Sequence, residues 1–182
     1  MQDMDYSAQM EQLKQRMASE RPIPWDDLPD IALYMDQVVS YLGRQLITFR
    51  EGEGLTSAKI NNYIKDGIAP RANGKRYEKE HISILTAIAA LKQVLSVRDL
   101  ATLLEHGVAN GPPEETYTRF CGALDTALND TVDRLENGPE ALPNLAVYLA
   151  LHAYGEVLAC RRILDLLREA DGETHKDKKK KK

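Results

Sequence analysis

Residues 55–70, with Asn73, Gly74, Lys75, Arg76 and Tyr77 close behind, bring cations, amides and a phenol together at helical spacing. That mixture suits contacts to phosphates and to base edges. Thr56 is a good N-cap, Ile60 and Ile64 form an i, i+4 apolar pair, and Gly67 stands where a left-handed residue closes a helix before Pro70. The opposite face carries Lys59, Asn62 and Lys65, flanked by Asn61 and Tyr63. From residue 56 to residue 79, six Lys or Arg stand against Asp66 and Glu78, a local excess of four positive charges in a chain of formal net charge −4. Such a patch attracts a polyanion even on an acidic protein. On composition alone, a solvated helix with a polar hairpin accounts for it equally well.

Other chemistry is sparse. Cys121 and Cys160 make no disulfide framework. If the chain turns near residue 140, the two lie at one level of an antiparallel helix pair and could form a thiol switch. Otherwise each is a small buried hydrophobe, since no cationic neighbour or CxxC spacing lowers a thiol pKa. His81, His106, His152 and His175 share no metal-ligand spacing with a cysteine or carboxylate. His106, before Gly107, suits a helix C-terminus. There is no phosphate-cradling glycine loop and no nucleophile with a base at useful spacing, and Glu51 and Glu53 flank glycines in a loop as solvated carboxylates. The expectation is a protein without catalytic residues, metal or cofactor.

The elements that position the basic segment follow from periodicity. The chain has 182 residues, 43% hydrophobic and 29% charged, which is ordinary for one or two small globular domains. The polar N-terminus lacks a signal-peptide core, and residues 145–160 are apolar but interrupted by His152 and Glu156 and too short to span a bilayer. A cytoplasmic protein is expected. Tyr6, Met10, Leu13 and Met17 make a narrow helical stripe over residues 6–20, broken by Pro22 and Pro24, after which Trp25 anchors the linker on the next domain. Ile31, Tyr34, Met35, Val38, Val39, Leu42 and Leu46 predict a helix over residues 30–49 with Asp30 as N-cap. A broad apolar face predicts a helix over 79–95, and Ser96 caps a further helix that ends at Gly107.

Gly111, Pro112 and Pro113 mark the next boundary. Beyond it, Tyr117, Phe120, Cys121, Leu124, Leu128, Thr131 and Leu135 recur at spacings of three and four, Asn137, Gly138 and Pro139 end the helix, and an apolar helix follows over 145–167. These two helices predict an antiparallel hairpin with apolar surface left for a second copy, hence a homodimer. Lysines close the chain after Asp177 with no apolar residue to fold around, predicting a disordered tail that either touches nucleic acid nonspecifically or is simply solvated.

The order of a capped helix, Ile60, Tyr63, Gly67, Pro70, then Gly74, Lys75, Arg76 and Tyr77 before a long helix, resembles the DNA-binding domain of MerR-type winged helix-turn-helix regulators. The chain is more closely similar to an uncharacterised bacterial family found mainly in Firmicutes, domain of unknown function 1836. That similarity rests on the run Leu33, Tyr34, Met35, Asp36, Gln37, Val38, on Leu55 and Thr56 with Ile60, Asn61, Asn62 and Tyr63, and on Lys75, Arg76 and Tyr77 to His81, over residues 25–105. Two departures stand out. The connection over residues 47–54 is longer than the tight turn of MerR proteins, and Asn61 and Asn62 stand where their recognition helices tend to carry an Arg. Phosphate clamping would shift to Lys59, Lys65, Lys75 and Arg76, and the asparagines become adenine readers.

The resulting expectation is a mostly α protein: an N-terminal helix and linker (1–24), a MerR-like winged helix-turn-helix domain (25–110), a C-terminal antiparallel helical hairpin for dimerisation or effector binding (111–171) and a disordered lysine-rich tail (172–182). It would be a transcriptional regulator bound to double-stranded DNA as a homodimer on a two-fold related operator. Thr56, Ser57, Lys59, Asn61, Asn62, Tyr63 and Lys65 form the recognition segment, and Arg71, Lys75, Arg76 and Tyr77 form the wing. The rival is a protein-binding adaptor on the same scaffold; a DNA-architectural protein is a third reading.

Overall fold

The computed structural model describes residues 6–49, 54–108, 111–135 and 142–180, with backbone alone at 108 and 172–180. Most of the described chain is helical. The elements are α1 (Ser7–Ser19), a 3-10 turn (Trp25–Asp27), β1 (Leu33–Tyr34), α2 (Met35–Leu42), α3 (Ser57–Lys65), β2 (Arg76–Tyr77), α4 (Lys79–Leu91), α5 (Val97–Leu103) extended by a π-helical turn (Leu104–Val108), α6 (Pro113–Arg134) and α7 (Leu142–Lys180). Glu51 and Glu53 of the long connection, and the Asn137–Gly138–Pro139 stop, lie outside the described residues.

The main core is built around α4. Ile82, Leu85 and Ile88 meet Val38 and Leu42 of α2, Ile60 of α3 and Leu100 of α5, all buried. Fully burying each such side chain contributes about 1.5–3 kcal/mol. Ile23 and Trp25 close this core from one side and Tyr117, Phe120 and Cys121 of α6 from the other. The Tyr117 hydroxyl donates to the Ile23 carbonyl at 2.9 Å, and its ring lies 6.2 Å from that of Trp25. The core therefore crosses both boundaries expected at residues 24 and 110. The Gly111–Pro112–Pro113 break redirects the chain without ending the packed unit, because the first turns of α6 carry three apolar side chains back onto α4 and the Trp25 turn.

The helix expected over 30–49 begins only at Met35 and ends at Leu42. Leu33 and Tyr34 are taken by antiparallel pairing with Tyr77 and Arg76, and two residues cannot serve a strand and a helix together. Asp30 does not cap a helix; its carboxylate pairs with Lys79 Nζ at 3.1 Å. Gln37 Oε1 instead accepts the Tyr34 N–H at 2.9 Å, closing the first turn of α2. Helix α4 stops at Leu91, four residues short of the expected end.

Helix α1 is not a separate unit. Met10, with Leu13 and Met17 beside it, packs on Leu135 and Leu145 where α6 and α7 approach each other, and Arg21 ties the following segment to Asp125 and Asn129 of α6. Among the described residues, α6 packs on α1 and α4, while α7 meets α6 at Leu135 and at Arg134, which stands over the Tyr148 ring, and packs on α5. Helix α7 also runs on through the lysine run to Lys180, where composition predicts disorder. Lysine is a good helix former, and neither proline nor a second glycine follows Gly172 to stop the helix. No helix among the described residues is long and apolar enough to cross a membrane.

Candidate nucleic-acid interface

Helix α3 is set by its ends and one buried face. The Thr56 hydroxyl accepts the Lys59 N–H at 3.2 Å, satisfying one of the free donors of the first turn. At the other end Gly67 adopts φ 74°, and the Tyr63 carbonyl accepts the N–H groups of Ile68 (2.8 Å) and Ala69 (3.1 Å). Ile60 is wholly buried and Ile64 half-buried, which turns Ser57, Asn61, Asn62 and Lys65 outward, all exposed. Lys59 is also exposed, with its ammonium donating to the Gly54 carbonyl at 3.1 Å, so it lies back over the start of the helix. Tyr63 departs from the expected contact set. Its ring packs on the core, half-buried, and that burial raises the phenol's pKa.

The segment after α3 forms a tight turn. Asn73 and Arg76 bond reciprocally through their backbones at 2.9 and 3.1 Å, and Gly74 takes φ 64°, a left-handed conformation open to glycine at little cost. Arg71, Lys75 and Arg76 are exposed. The Arg76 guanidinium donates to the Tyr34 hydroxyl at 3.1 Å and stands 5.0 Å from that ring's centroid, so β1 fixes its direction. Strand alternation then sends Tyr77 inward. It is only 4% exposed, against the His81 ring, and cannot reach a nucleic-acid backbone without leaving the core. The aromatic on the outer face is Tyr34, which periodicity alone assigns to a buried helix stripe.

His81, which has no obvious role in the sequence, secures this turn. Its Nδ1 accepts the Glu78 N–H at 3.1 Å, so Nε2 carries the proton and donates to the Arg71 carbonyl at 2.9 Å. One buried imidazole thus binds the start of α4 to the residue that opens the turn. Glu78, Glu80 and His81 bring three ligand-type atoms within 4.8 Å of one another. Both His81 nitrogens are spoken for by backbone groups and Glu78 Oε2 accepts from Asn73 Nδ2 at 2.8 Å, so a cation there would have to break the turn's own bonds.

The two cysteines are both free. Cys121 packs on the main core beside Tyr117, and burial pushes its thiol pKa up, opposed by a hydrogen bond to Tyr117. Cys160 lies on α7, which packs on α5. His106 Nε2 donates to the Asp171 carboxylate of α7 at 2.9 Å, joining the π-helical turn to that helix.

The basic segment is thus held by three devices: the Thr56 cap, the two-stranded pairing of residues 33–34 with 76–77, and the His81 staple. All three fall inside one packed unit running from Ile23 to Phe120. No curated protein and no solved structure matches the chain. A family model does match residues 23–120, just over half of the sequence and nearly the span of that core, and the chain belongs to the family it describes, Domain of unknown function (DUF1836).

Proposed function

We propose that the protein is a sequence-specific DNA-binding transcription regulator, acting in the cytoplasm as a homodimer on a two-fold related operator and performing no catalysis. The observation that carries this reading is the outward face of α3, where Asn61, Asn62 and Lys65 are exposed and followed directly by a glycine turn bearing Arg71, Lys75 and Arg76. The succession of α2, α3, a two-stranded ribbon and α4 supports a MerR-like winged helix-turn-helix arrangement. In it the asparagines would read adenine edges in the major groove, with Ser57, Lys59 and Lys65 on flanking phosphates. The turn cations would track the backbone or the minor groove. Tyr34 joins this set through its bond to Arg76, and Tyr63 and Tyr77 become supports rather than contacts.

The dimer reading rests on α7. Val147, Leu151, Tyr154 and Leu158 recur at four, three and four residues and are all exposed, a stripe suited to a second copy. The same stripe also favours a second reading, an adaptor that binds another protein and does not read DNA. Capture of genomic fragments by the purified protein tests the choice: salt-sensitive enrichment of a paired-half-site motif supports the regulator, and binding that survives high salt and ignores Arg76 supports the adaptor.

A further inference from the structure

Helix α7 is held near its start and again further on, and is bare in between. Leu145 packs with Leu135 and Met10, and Arg168 bonds to Asp99 and Thr102 of α5. Between these anchors every residue over 150–156 is exposed, about 10 Å of helix. Leu145, Leu149, Cys160 and Leu164, buried or half-buried, mark the side turned to the rest of the chain. At 3.6 residues per turn, Val147, Leu151, Tyr154 and Leu158 fall on the opposite side, and each is more than half exposed. Glu156, the only carboxylate, Lys or Arg over residues 144–160, is turned away from that stripe.

The spacing along the stripe reads the same from either end: four, three, four. Leu151 and Tyr154 are equally distant from the midpoint between His152 and Ala153, and so are Val147 and Leu158. A two-fold interface requires that self-complementarity, and a partner of another kind does not. In an antiparallel pair of α7 helices, Leu151 meets the partner's Tyr154 and Val147 meets the partner's Leu158, in one uncharged seam. A parallel pair would carry the seam on into the exposed Arg161 against the partner's Arg161 and Asp165 against the partner's Asp165. Like charges held opposite one another cost affinity, so the charge pattern favours the antiparallel pair.

Gly155, on the flank of the stripe, fits the same pairing. A Cβ there would meet nothing within 4 Å, so no contact among the described residues asks for glycine, which weakens a helix interior. Antiparallel pairing sets the partner's Tyr148 beside it, where a larger side chain would hold the two helices apart.

We infer that α7 pairs antiparallel with α7 of a second copy, about a two-fold axis passing between His152 and Ala153. The inference rests on the homodimer reading and adds the face, register and orientation of the pair.

The test uses full-length protein as a dimer mixed from methyl-labelled and unlabelled copies, in which isotope-filtered NOEs arise only between copies. Contacts are expected from the Val147 methyls to the partner's Leu158 and from the Leu151 methyls to the ring of the partner's Tyr154. Gly155→Leu should raise the dimer dissociation constant at least about tenfold by forcing the helices apart, with helicity by circular dichroism undiminished. A monomer by sedimentation at micromolar concentration would remove the homodimer reading and this pairing together. A dimer with NOEs from Leu151 to the partner's Leu151 and from Leu158 to the partner's Leu158, a dimer with none at these residues, or one that Gly155→Leu leaves as tight would overturn the pairing alone.

Discussion

The His81 imidazole donates through Nε2 to the carbonyl oxygen of Arg71 at 2.9 Å, ten residues earlier, while its other nitrogen accepts the Glu78 N–H. The turn that carries Lys75 and Arg76 is therefore anchored at its first residue and at its exit by one side chain. His81→Leu keeps the volume but leaves the Glu78 N–H and the Arg71 carbonyl with no partner. The expected cost is about 1–3 kcal/mol for each group that water cannot reach, read as a lowered denaturant midpoint with the slope unchanged. Amide exchange should speed up first in residues 71–78. An unchanged midpoint would mean that the turn holds without the staple.

The attachment of α7 to α5 centres on Asp99. Its carboxylate accepts from the Ser96 hydroxyl at 2.7 Å and from Arg168, whose Nε also donates to Thr102 at 2.9 Å. These bonds, the Ser96 one foremost and then Arg168, hold the Asp99 pKa below the usual carboxylate range against the opposing effect of burial. A depressed folded-state pKa stabilises the protein above the unfolded value and loses that contribution as pH falls through the folded one. The α5–α7 contact should accordingly loosen below about pH 4. Asp99→Asn should remove that acid limb from the stability profile and expose α7 to protease at neutral pH. An identical acid limb in the variant would place its origin in another group.

Helix α7 leaves Leu151 and Tyr154 about two-thirds exposed, at 64% and 66%. If a second copy covers them, sedimentation at micromolar concentration should give a dimer, and the double change Leu151→Glu with Leu158→Glu should give a folded monomer of unchanged melting temperature measured at high dilution. A monomeric wild-type protein would remove the dimer from the account.

Within the α3 surface, Asn62 and Arg76 should behave differently. Asn62→Ala should relax discrimination at one base position by about 1–3 kcal/mol. Arg76→Ala should weaken binding to all sequences and lower the salt slope by about one. Equal losses on every sequence from both changes would contradict the division between reading and clamping.

What the sequence made legible was local. Thr56, Ile60 and Gly67 announce α3 because capping, burial and left-handed closure depend on near neighbours, and each takes its expected place. Leu33 and Tyr34 mislead because their partners, Tyr77 and Arg76, lie more than forty residues away and pairing overrides helical periodicity. The inward turn of Tyr77 has the same origin, since a strand face depends on register and a wing residue alone does not reveal it. The seat of α1 on α6 was not legible either, because the narrow stripe of Tyr6, Met10, Leu13 and Met17 announces a helix without saying which surface it meets. His81 and Gln45 look ordinary in the chain, and only the position of distant backbone groups gives them work.

The central claim is that the α3 face and the turn read DNA. Its most direct test is sequencing of genomic fragments captured by the purified protein at near-physiological salt, beside Arg76→Ala and a version truncated after Thr174. The account predicts a paired-half-site motif that is retained by the truncated protein and lost with Arg76→Ala. No enriched motif, or enrichment that depends only on the lysine run, would contradict it.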